Sequence, residues 1–373
     1  MKNKMFKYDF LIVGGGLIGA LAGLALHKKN FKVLVIDKKK DIPLDQRTLA
    51  VNANSRQFLE QLGVWDNLKS QPQSINKIII KDYINSLPLI FSNQGEPMGN
   101  VIFNTEMLKI VRKRLKNLNI LKTSVNINTE HLCTDNAIQI DKNSYYFKKI
   151  IISVGKDINA NSRHKSIVFD KGYFSYVGFF THNFDHENTA YEMFNKEGPL
   201  AVLPCPSINK TKSTFIYSTN KKITNQQIFT LINKHFYNSH GKIVFDKTIH
   251  KFPVTPHLKK YNKSYIYIGD TLKSIHPVAG QGWNLGVKDI QTLCNLTEQY
   301  SANSKILNSL YYSRRIIDSS VYMGFTSFIN FLYENQSPIN KKIIKLGYEG
   351  LRNFKAARSL FIKQAMGRIN LTG

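Results

Sequence analysis

A glycine-rich stretch near the amino terminus constrains the fold of this chain more than any other feature. Residues 8–37 read YDFLIVGGGLIGALAGLALHKKNFKVLVID: an apolar run, three consecutive glycines, a helical apolar pattern and a second apolar run. Two buried strands joined by a helix within about 30 residues form a parallel βαβ unit. The sequence therefore predicts an α/β fold that begins with a Rossmann-like domain.

The glycines of this unit follow the spacing Gly14-x-Gly16-x-x-Gly19, and Asp37 ends the second predicted strand. Gly14 permits a tight turn, Gly16 lets the backbone approach a pyrophosphate, and Gly19 lets the helix pack against the strand. The helix N-terminus would face the phosphates, and Asp37 would accept a hydrogen bond from a ribose hydroxyl. The pattern predicts a dinucleotide site without separating FAD from NAD.

A second glycine-rich stretch, GDTLKSIHPVAGQGWNLGVKDI at residues 269–290, favours FAD. Asp270 ends a strand, where its carboxylate can hold a ribityl hydroxyl, and Pro277 would present a rigid surface to a planar ring. A helix predicted over 282–297 would then begin at that ring, and its N-terminus would stabilise the negative charge of a reduced flavin. The residues assigned to the cofactor in this stretch are Asp270, Pro277, Gly280, Gln281, Gly282 and Asn284.

The order of elements predicts a nucleotide-binding domain built from separate segments of the chain. A β-rich stretch separates the two glycine-rich motifs, and the chain beyond residue 281 is mostly helical in pattern. The predicted FAD-binding domain comprises 1–73, 98–165 and 265–330, the inserted β-sheet substrate domain comprises 74–97 and 166–264, and C-terminal helices occupy 331–373.

Composition limits the partners and the compartment. The 373 residues carry a formal net charge of +27, with lysines spread along the whole chain. This charge fits either an anionic partner or a general compositional bias, and without a recognition motif we expect no nucleic-acid partner. The three cysteines lack metal-type spacing and predict a reducing compartment without a metal site. Because glycines interrupt the first apolar run, we expect a cytoplasmic protein rather than a secreted one.

The stretch from residue 269 resembles the signature of the FAD-dependent aromatic hydroxylases, and most closely that of their ubiquinone-biosynthesis branch. The likeness covers nearly the whole chain. The other segments that resemble this branch are DQRTLAVNANSRQFLEQLGVW at 45–65, GPLAVLP at 198–204, YYSRRIID at 311–318 and AMG at 365–367.

The resemblance implies a monooxygenase in which NAD(P)H reduces FAD and dioxygen then forms a flavin hydroperoxide. That species would hydroxylate a phenolic ring carrying a polyprenyl tail. Arg47 would lie near the flavin or its phosphates, Asp270 near the ribityl–pyrophosphate region, and residues 277–282 along the isoalloxazine. Two alternatives are a hydroxylase of another aromatic compound and a non-catalytic flavoprotein that scaffolds a quinone-biosynthesis assembly.

Some residues depart from the family pattern or allow two interpretations. In GKDINANSR, at 155–163, Ile158 stands where the family has glycine, which puts NAD(P)H use in doubt and favours the scaffold. His276 is either a proton carrier or a structural residue of a turn. A basic protein with a lipid-tailed substrate predicts peripheral association with the inner membrane. The basic residues of 314–317 and of 341–345 either face that membrane or belong to solvated helices.

Overall fold

The structure is a computed structural model that describes residues 5–42, 47–68, 70–93, 95–127, 137–140, 142–155, 166–169, 172–207, 209–276, 280–302, 304–335 and 337–369. Its helices are α1 (Leu17–Lys28), α2 (Ala53–Gln61), α3 (Asn104–Asn117), α4 (Asn225–His240), α5 (Gln281–Gln299), α6 (Lys305–Glu334), α7 (Pro338–Asn353) and α8 (Lys355–Ala365).

The strands of the first half of the chain are β1 (Met5–Val13), β2 (Val33–Asp37), β3 (Thr48–Asn52), β4 (Gln73–Ile75), β5 (Lys77–Asp82), β6 (Leu89–Ser92), β7 (Gly99–Phe103), β8 (Leu121–Thr123), β9 (Ala137–Ile140) and β10 (Asn143–Ile152). Those of the second half are β11 (Ser166–Val168), β12 (Tyr173–His182), β13 (Thr189–Asn195), β14 (Gly198–Pro204), β15 (Lys212–Thr219), β16 (Ile243–Phe245), β17 (His250–Val254), β18 (His257–Lys259), β19 (Tyr265–Tyr267) and β20 (Lys273–Ser274).

The predicted βαβ unit forms the centre of a largely parallel sheet with the order β19-β10-β1-β2-β8, and β9 pairs antiparallel with β10. Leu11 of β1 pairs with Leu34 on one side and Ile150 on the other. Strand β1 is buried from Phe10 to Val13, and α1 packs against β1 and β2. This explains why the strand is a continuous apolar run rather than an alternating one.

The second large sheet of the protein is mainly antiparallel. Its order is β16-β12-β15-β14-β13-β5-β6, with β17 also paired to β12. The hairpin β5–β6 comes from residues 77–92 and joins the sheet through a parallel pairing of β5 with β13. Strand pairing thus unites the two segments predicted for the substrate domain, although the division into domains stays a prediction.

Helices cover both faces of this large sheet. Ile228, Ile232 and Phe236 of α4 are fully buried against one face. On the other face, Leu332 of α6 and Ile344 of α7 pack with residues of β5 and β6. Two small three-stranded sheets, β3-β7-β4 and β11-β18-β20, are also formed by the described residues.

Two predicted boundaries differ from the structure. The helix predicted over 282–297 runs over Gln281–Gln299, because Gly280 is its N-cap. The domain boundary predicted at residue 330 falls inside α6, which continues to Glu334. Within the described ranges, no helix combines the length and the apolar character that crossing a bilayer requires.

Candidate functional site

The loop between β1 and α1 shows why two of its glycines are required by the protein's own packing. Gly14 has a φ of +107°, and a Cβ there would collide with the carbonyl of Ser153, just after β10. A Cβ at Gly19 would collide with the carbonyl oxygen of Gly14. Side chains are excluded at both positions because the turn and the first helical turn pack tightly on the sheet.

Gly16 differs from the other two glycines because its surroundings are open. It is exposed, its φ of −66° suits any residue, and no atom lies within 4 Å of the position that a Cβ would take. Gly16 is also the N-cap of α1 and supplies no side-chain cap. The first N–H groups of a helix lack intrahelical acceptors, so this open space suits an anionic group.

Asp37 lies at the end of β2 beside the same loop. Its side chain is close enough to Gly15 that a Cβ on that glycine would stand 2.9 Å from the carboxylate Oδ2. Its other oxygen accepts a hydrogen bond of 2.7 Å from the N–H of Lys39. The half-buried carboxylate therefore has a fixed orientation at the rim of the glycine loop, as a ribose-binding group requires.

The second glycine-rich stretch begins where β19 ends, next to α1. Asp270 is exposed in a short 3-10 turn over Gly269–Thr271. The N–H of Gly155 donates to the Thr271 hydroxyl at 2.8 Å, and that hydroxyl donates to the carbonyl of Gly155 at 3.2 Å. These bonds fix the Asp270 turn against the end of β10, so Asp270 lies at the same sheet edge as the glycine loop.

The N-terminus of α5 contacts the end of β3. Gly280 has a φ of +62°, and its Cβ position would lie 3.2 Å from the Cβ of Ala50. Asn284 donates from Nδ2 to the carbonyl of Ala50 at 2.9 Å and accepts from the N–H of Asn52 at 3.1 Å. At Gly282, by contrast, the nearest atom to a Cβ would be Ile275 Cγ1 at 4.0 Å. Asn284 therefore fixes the start of the helix, while the described residues leave the space beside Gly282 free.

The remaining predicted residues lie around this helix start. Gln281 is the first residue of α5, and Pro277 lies outside the described residues. The Arg47 guanidinium lies 4.8 Å from the centre of the Phe252 ring, so it reaches across to the large sheet. His276 is buried, and its ring meets that of Tyr173 edge-on at 4.9 Å. Whether His276 carries protons stays a prediction.

A buried ionic network joins the Asp270 turn to α5 and α6. Asp289 accepts hydrogen bonds from the N–H of Gly269 at 2.9 Å, from Lys273 Nζ at 2.5 Å and from Arg315 Nε at 2.7 Å. Arg315 and Lys288 also pair with Asp318. Burial lowers the pKa of Lys273 to about 8, although Asp289 acts in the opposite direction.

This network corrects the interpretation of the basic segment 314–317. Arg315 is fully buried and paired with two aspartates, so it faces neither solvent nor a membrane. Of the two arginines in this segment, only Arg314 is partly exposed. No sequence pattern indicates this network, because Asp289 and Asp318 lie 29 positions apart in separate helices.

A cavity of about 410 Å³ extends from the start of α5 into the space between the large sheet and the C-terminal helices. At one end it is bordered by Ala50, Gln281 and Asn284; at the other it reaches Phe328 of α6 and Ile343 of α7. Its walls are largely aliphatic and aromatic. A mainly apolar cavity with a few polar side chains in its wall is typical of a site for a small, largely apolar ligand.

Similarity to known proteins agrees with this geometry. Residues 7–136 match a protein family described as FAD binding domain. The ubiquinone hydroxylase UbiM of Neisseria meningitidis is 24% identical over 392 residues, covering 96% of this chain and 84% of that protein. The ubiquinone hydroxylase UbiL of Rhodospirillum rubrum is 25% identical over 395 residues, covering 97% and 90%. The chain is therefore similar to ubiquinone hydroxylases over nearly its whole length, and residues 7–136 match an FAD binding domain.

A solved structure shows the same fold. The p-nitrophenol 4-monooxygenase PnpA of Pseudomonas putida superposes with a TM-score of 0.75 at 13% identity, over 97% of this chain and 98% of that one. The predicted resemblance to these hydroxylases, the α/β fold class and the cofactor FAD are confirmed. The residues that hold the cofactor stay predictions.

The described residues fit FAD on two independent features. Gly16 and Gly282 both leave open the space that a side chain would fill, although one lies near the start of the chain and the other in α5. Both positions are at helix N-termini, whose partial positive charge complements a pyrophosphate or a reduced flavin ring. A Cβ at Gly286 of α5 would stand 2.8 Å from Ile18 of α1, so the two helix starts lie near each other and one elongated dinucleotide can reach both.

Proposed function

We propose that this protein is an FAD-dependent monooxygenase that hydroxylates the ring of a polyprenylated phenol in ubiquinone biosynthesis. NAD(P)H would supply two electrons as a hydride; one oxygen atom of dioxygen would enter the ring, and the other, with a further proton, would leave as water. FAD, when bound, supplies the redox and oxygen chemistry. The names of the relatives UbiM and UbiL support the pathway, and the cavity supports the class of substrate. How oxygen is activated stays a prediction.

In this proposal each of the predicted residues contacts a different part of FAD. The N–H groups around Gly16 bind the pyrophosphate, Asp37 binds the adenosine ribose, and Asp270 binds the ribityl–pyrophosphate region. The start of α5, including Gly280, Gln281 and Gly282, borders the ring system, and Asn284 positions that helix start through its bonds to β3. Arg47 contributes from the opposite side, above Phe252.

The single observation that carries the substrate proposal is the shape and lining of the cavity. It begins beside Gln281 and Asn284, where the flavin ring is proposed to lie, and continues between apolar walls to the C-terminal helices. A phenol ring at the polar end would leave its tail in the apolar part. Burying an isoprenoid chain there is favourable by about 25 cal/mol per Å² of apolar surface.

Glu192 is proposed to orient the phenolic ring. Among the described residues that line the cavity it is the only charged side chain, and it is 6% exposed. It lies on β13 between Ala190, which packs near Ala50, and Phe194, which packs against Tyr333. Two residues along a strand span about 7 Å, so Glu192 lies about that distance from Ala190, at the end of the cavity where the flavin is proposed to bind.

A carboxylate at that depth can accept the hydrogen bond of a phenolic hydroxyl and increase the electron density of the ring, which favours attack by an electrophilic oxygen. We expect Glu192→Gln to lower kcat about 10²-fold, because general-base assistance contributes roughly 10²–10⁴-fold. The rise of kcat/KM with pH should also flatten. Glu187→Gln, on the exposed loop before β13, is the control. An unchanged pH profile in Glu192→Gln would exclude this role.

Two measurements test the function as a whole. Denatured protein should release FAD rather than FMN, because the glycine loop and Asp37 bind the adenylate half. A prenylated phenol should accelerate reduction of the bound flavin by NADH or NADPH, and mass spectrometry should detect one added oxygen atom. If only unprenylated aromatic compounds are hydroxylated, the protein is a hydroxylase of another aromatic compound. If no aromatic compound is hydroxylated and quinone-biosynthesis proteins co-purify, the protein is a non-catalytic scaffold.

A further inference from the structure

A stripe of exposed apolar side chains runs along α6 from its middle to its C-terminal end. Its members are spaced by four, four, three and three residues, which places them on one helix face. They are Ile317, Val321, Phe325, Phe328 and Phe331, each at least half exposed. No charged residue occurs between Asp318 and Glu334. Contiguous apolar surface of this kind usually marks a site that contacts another apolar phase or a partner.

The neighbouring helix α7 continues this surface. Ile339, Ile343 and Leu346 follow the spacing four and three, and they are 71%, 39% and 58% exposed. Helix α7 packs against α6, and the two helices share the apolar cluster that contains Leu332 and Ile344. We call the eight exposed residues of α6 and α7 the apolar stripe.

The apolar stripe lies at the mouth of the cavity. Phe325, Phe328 and Ile343 line the cavity and are also substantially exposed to solvent, so the opening lies between them. Ile329 and Leu332 line the cavity deeper inside and are largely buried. A tail that leaves the cavity therefore emerges onto apolar surface rather than into a polar rim.

Basic residues accompany the stripe. Lys341, Lys342 and Lys345 of α7 are all exposed. The segment 335–373 contains eight basic residues and a single acidic one, Glu349. Apolar side chains beside lysines are the composition of helices that lie in the interface of an anionic bilayer. A protein partner would need an equally acidic surface with an apolar centre.

We propose that the apolar stripe docks onto an anionic lipid bilayer and that the substrate's tail passes from the bilayer directly into the cavity mouth. The second half of the proposal rests on the proposed function; the docking itself does not. Both the apolar stripe and the charge of the neighbouring lysines would contribute to membrane binding. Binding should therefore weaken in high salt without disappearing, whereas a purely electrostatic contact would be fully released.

The test is flotation of the FAD-loaded full chain with phosphatidylcholine vesicles that contain or lack phosphatidylglycerol, at low and high salt. The stripe variant is Ile339→Gln with Leu346→Gln, because these two residues do not line the cavity. We expect its partition coefficient to fall at least about tenfold, since each side chain loses apolar burial. The matched control is Tyr237→Gln in α4 with Val244→Gln in β16, two residues that are also more than half exposed.

The outcomes separate docking from catalysis. Equal flotation of wild type and stripe variant, or no flotation of either, would overturn the docking proposal, as would a wild-type dimer that the stripe variant converts to monomer. Hydroxylation of a short-tailed, water-soluble phenol without vesicles should be unaffected by the stripe substitutions. If that reaction fails in the wild type while flotation behaves as expected, the proposed function is wrong and the docking stands.

Discussion

Replacing Gly16 by alanine should separate cofactor binding from folding. No protein atom lies within 4 Å of the new Cβ, and the φ of −66° suits alanine. The only cost to the fold is the weaker preference of alanine for an N-cap, about 0.5–1 kcal/mol. If the FAD pyrophosphate lies against this backbone, the methyl group occupies its space.

The expected loss of affinity follows from the hydrogen bonds that the methyl group disrupts. A hydrogen bond to a charged group contributes about 1.5–3 kcal/mol. Losing one such bond corresponds to a roughly ten- to hundredfold higher Kd for FAD. The assay is fluorescence titration of FAD into apoprotein, with thermal unfolding of the same apoprotein as the measure of stability.

Gly23→Ala is the matched control in the same helix. Its Cβ would collide with Val35 of β2, inside the core and away from the loop. Overpacking costs about 1–3 kcal/mol, partly offset by the better helix propensity of alanine. This variant should be less stable yet bind FAD as the wild type does. If Gly16→Ala binds FAD with unchanged Kd, the reasoning that places the pyrophosphate at this loop is refuted.

Three further predictions follow from other parts of the structure. Gly282→Val should slow flavin reduction or weaken FAD binding while circular dichroism stays unchanged, and normal reduction would withdraw this position from the cofactor site. Arg315→Leu should lower the free energy of unfolding by about 3–5 kcal/mol because it leaves buried aspartates without a partner. Arg314→Leu should change the free energy of unfolding by less than about 0.5 kcal/mol. Equal denaturant midpoints for the two variants would contradict a stabilising role of the network. Burial lowers the pKa of His240 to about 3, so its stabilising effect is present above pH ~6.5 and is lost as the pH falls below that value. His240→Gln should flatten the decline of the melting temperature between pH 7 and pH 5, whereas the control His27→Gln should leave it unchanged. Identical slopes for the wild type and His240→Gln would show that His240 does not cause the decline.

The sequence predicts those parts of the protein whose determinants are close together in the chain. The βαβ unit needs only glycine spacing, two apolar runs and a helical period, all within 8–37. The strands of the hairpin at residues 77–92 are likewise neighbours in the chain, and they pair antiparallel. Even the placement of Asp37 beside the loop follows from strand order, because parallel strands end at the same edge.

The cavity and the ionic network could not be predicted, because distant segments build them. Ala50, Glu192, Gln281 and Phe328 meet at one cavity, although neighbours in this list are separated by 47 to 142 positions. Apolar residues that line a cavity have the same periodicity as residues of a solid core. A buried arginine such as Arg315 likewise resembles an exposed one until its partners are known.

Helix α6 connects the cofactor side of the protein to the proposed membrane side. Arg315 is held by Asp289, which also accepts a hydrogen bond from Gly269, beside Asp270. Ten residues later, about 15 Å along the helix, Phe325 stands at the cavity mouth. Rotation of α6 about its axis would remove Arg315 from its aspartates and leave buried charges unpaired, which is strongly unfavourable. The ionic network therefore fixes which face of α6 points outward, and with it the orientation of the cavity mouth relative to the cofactor.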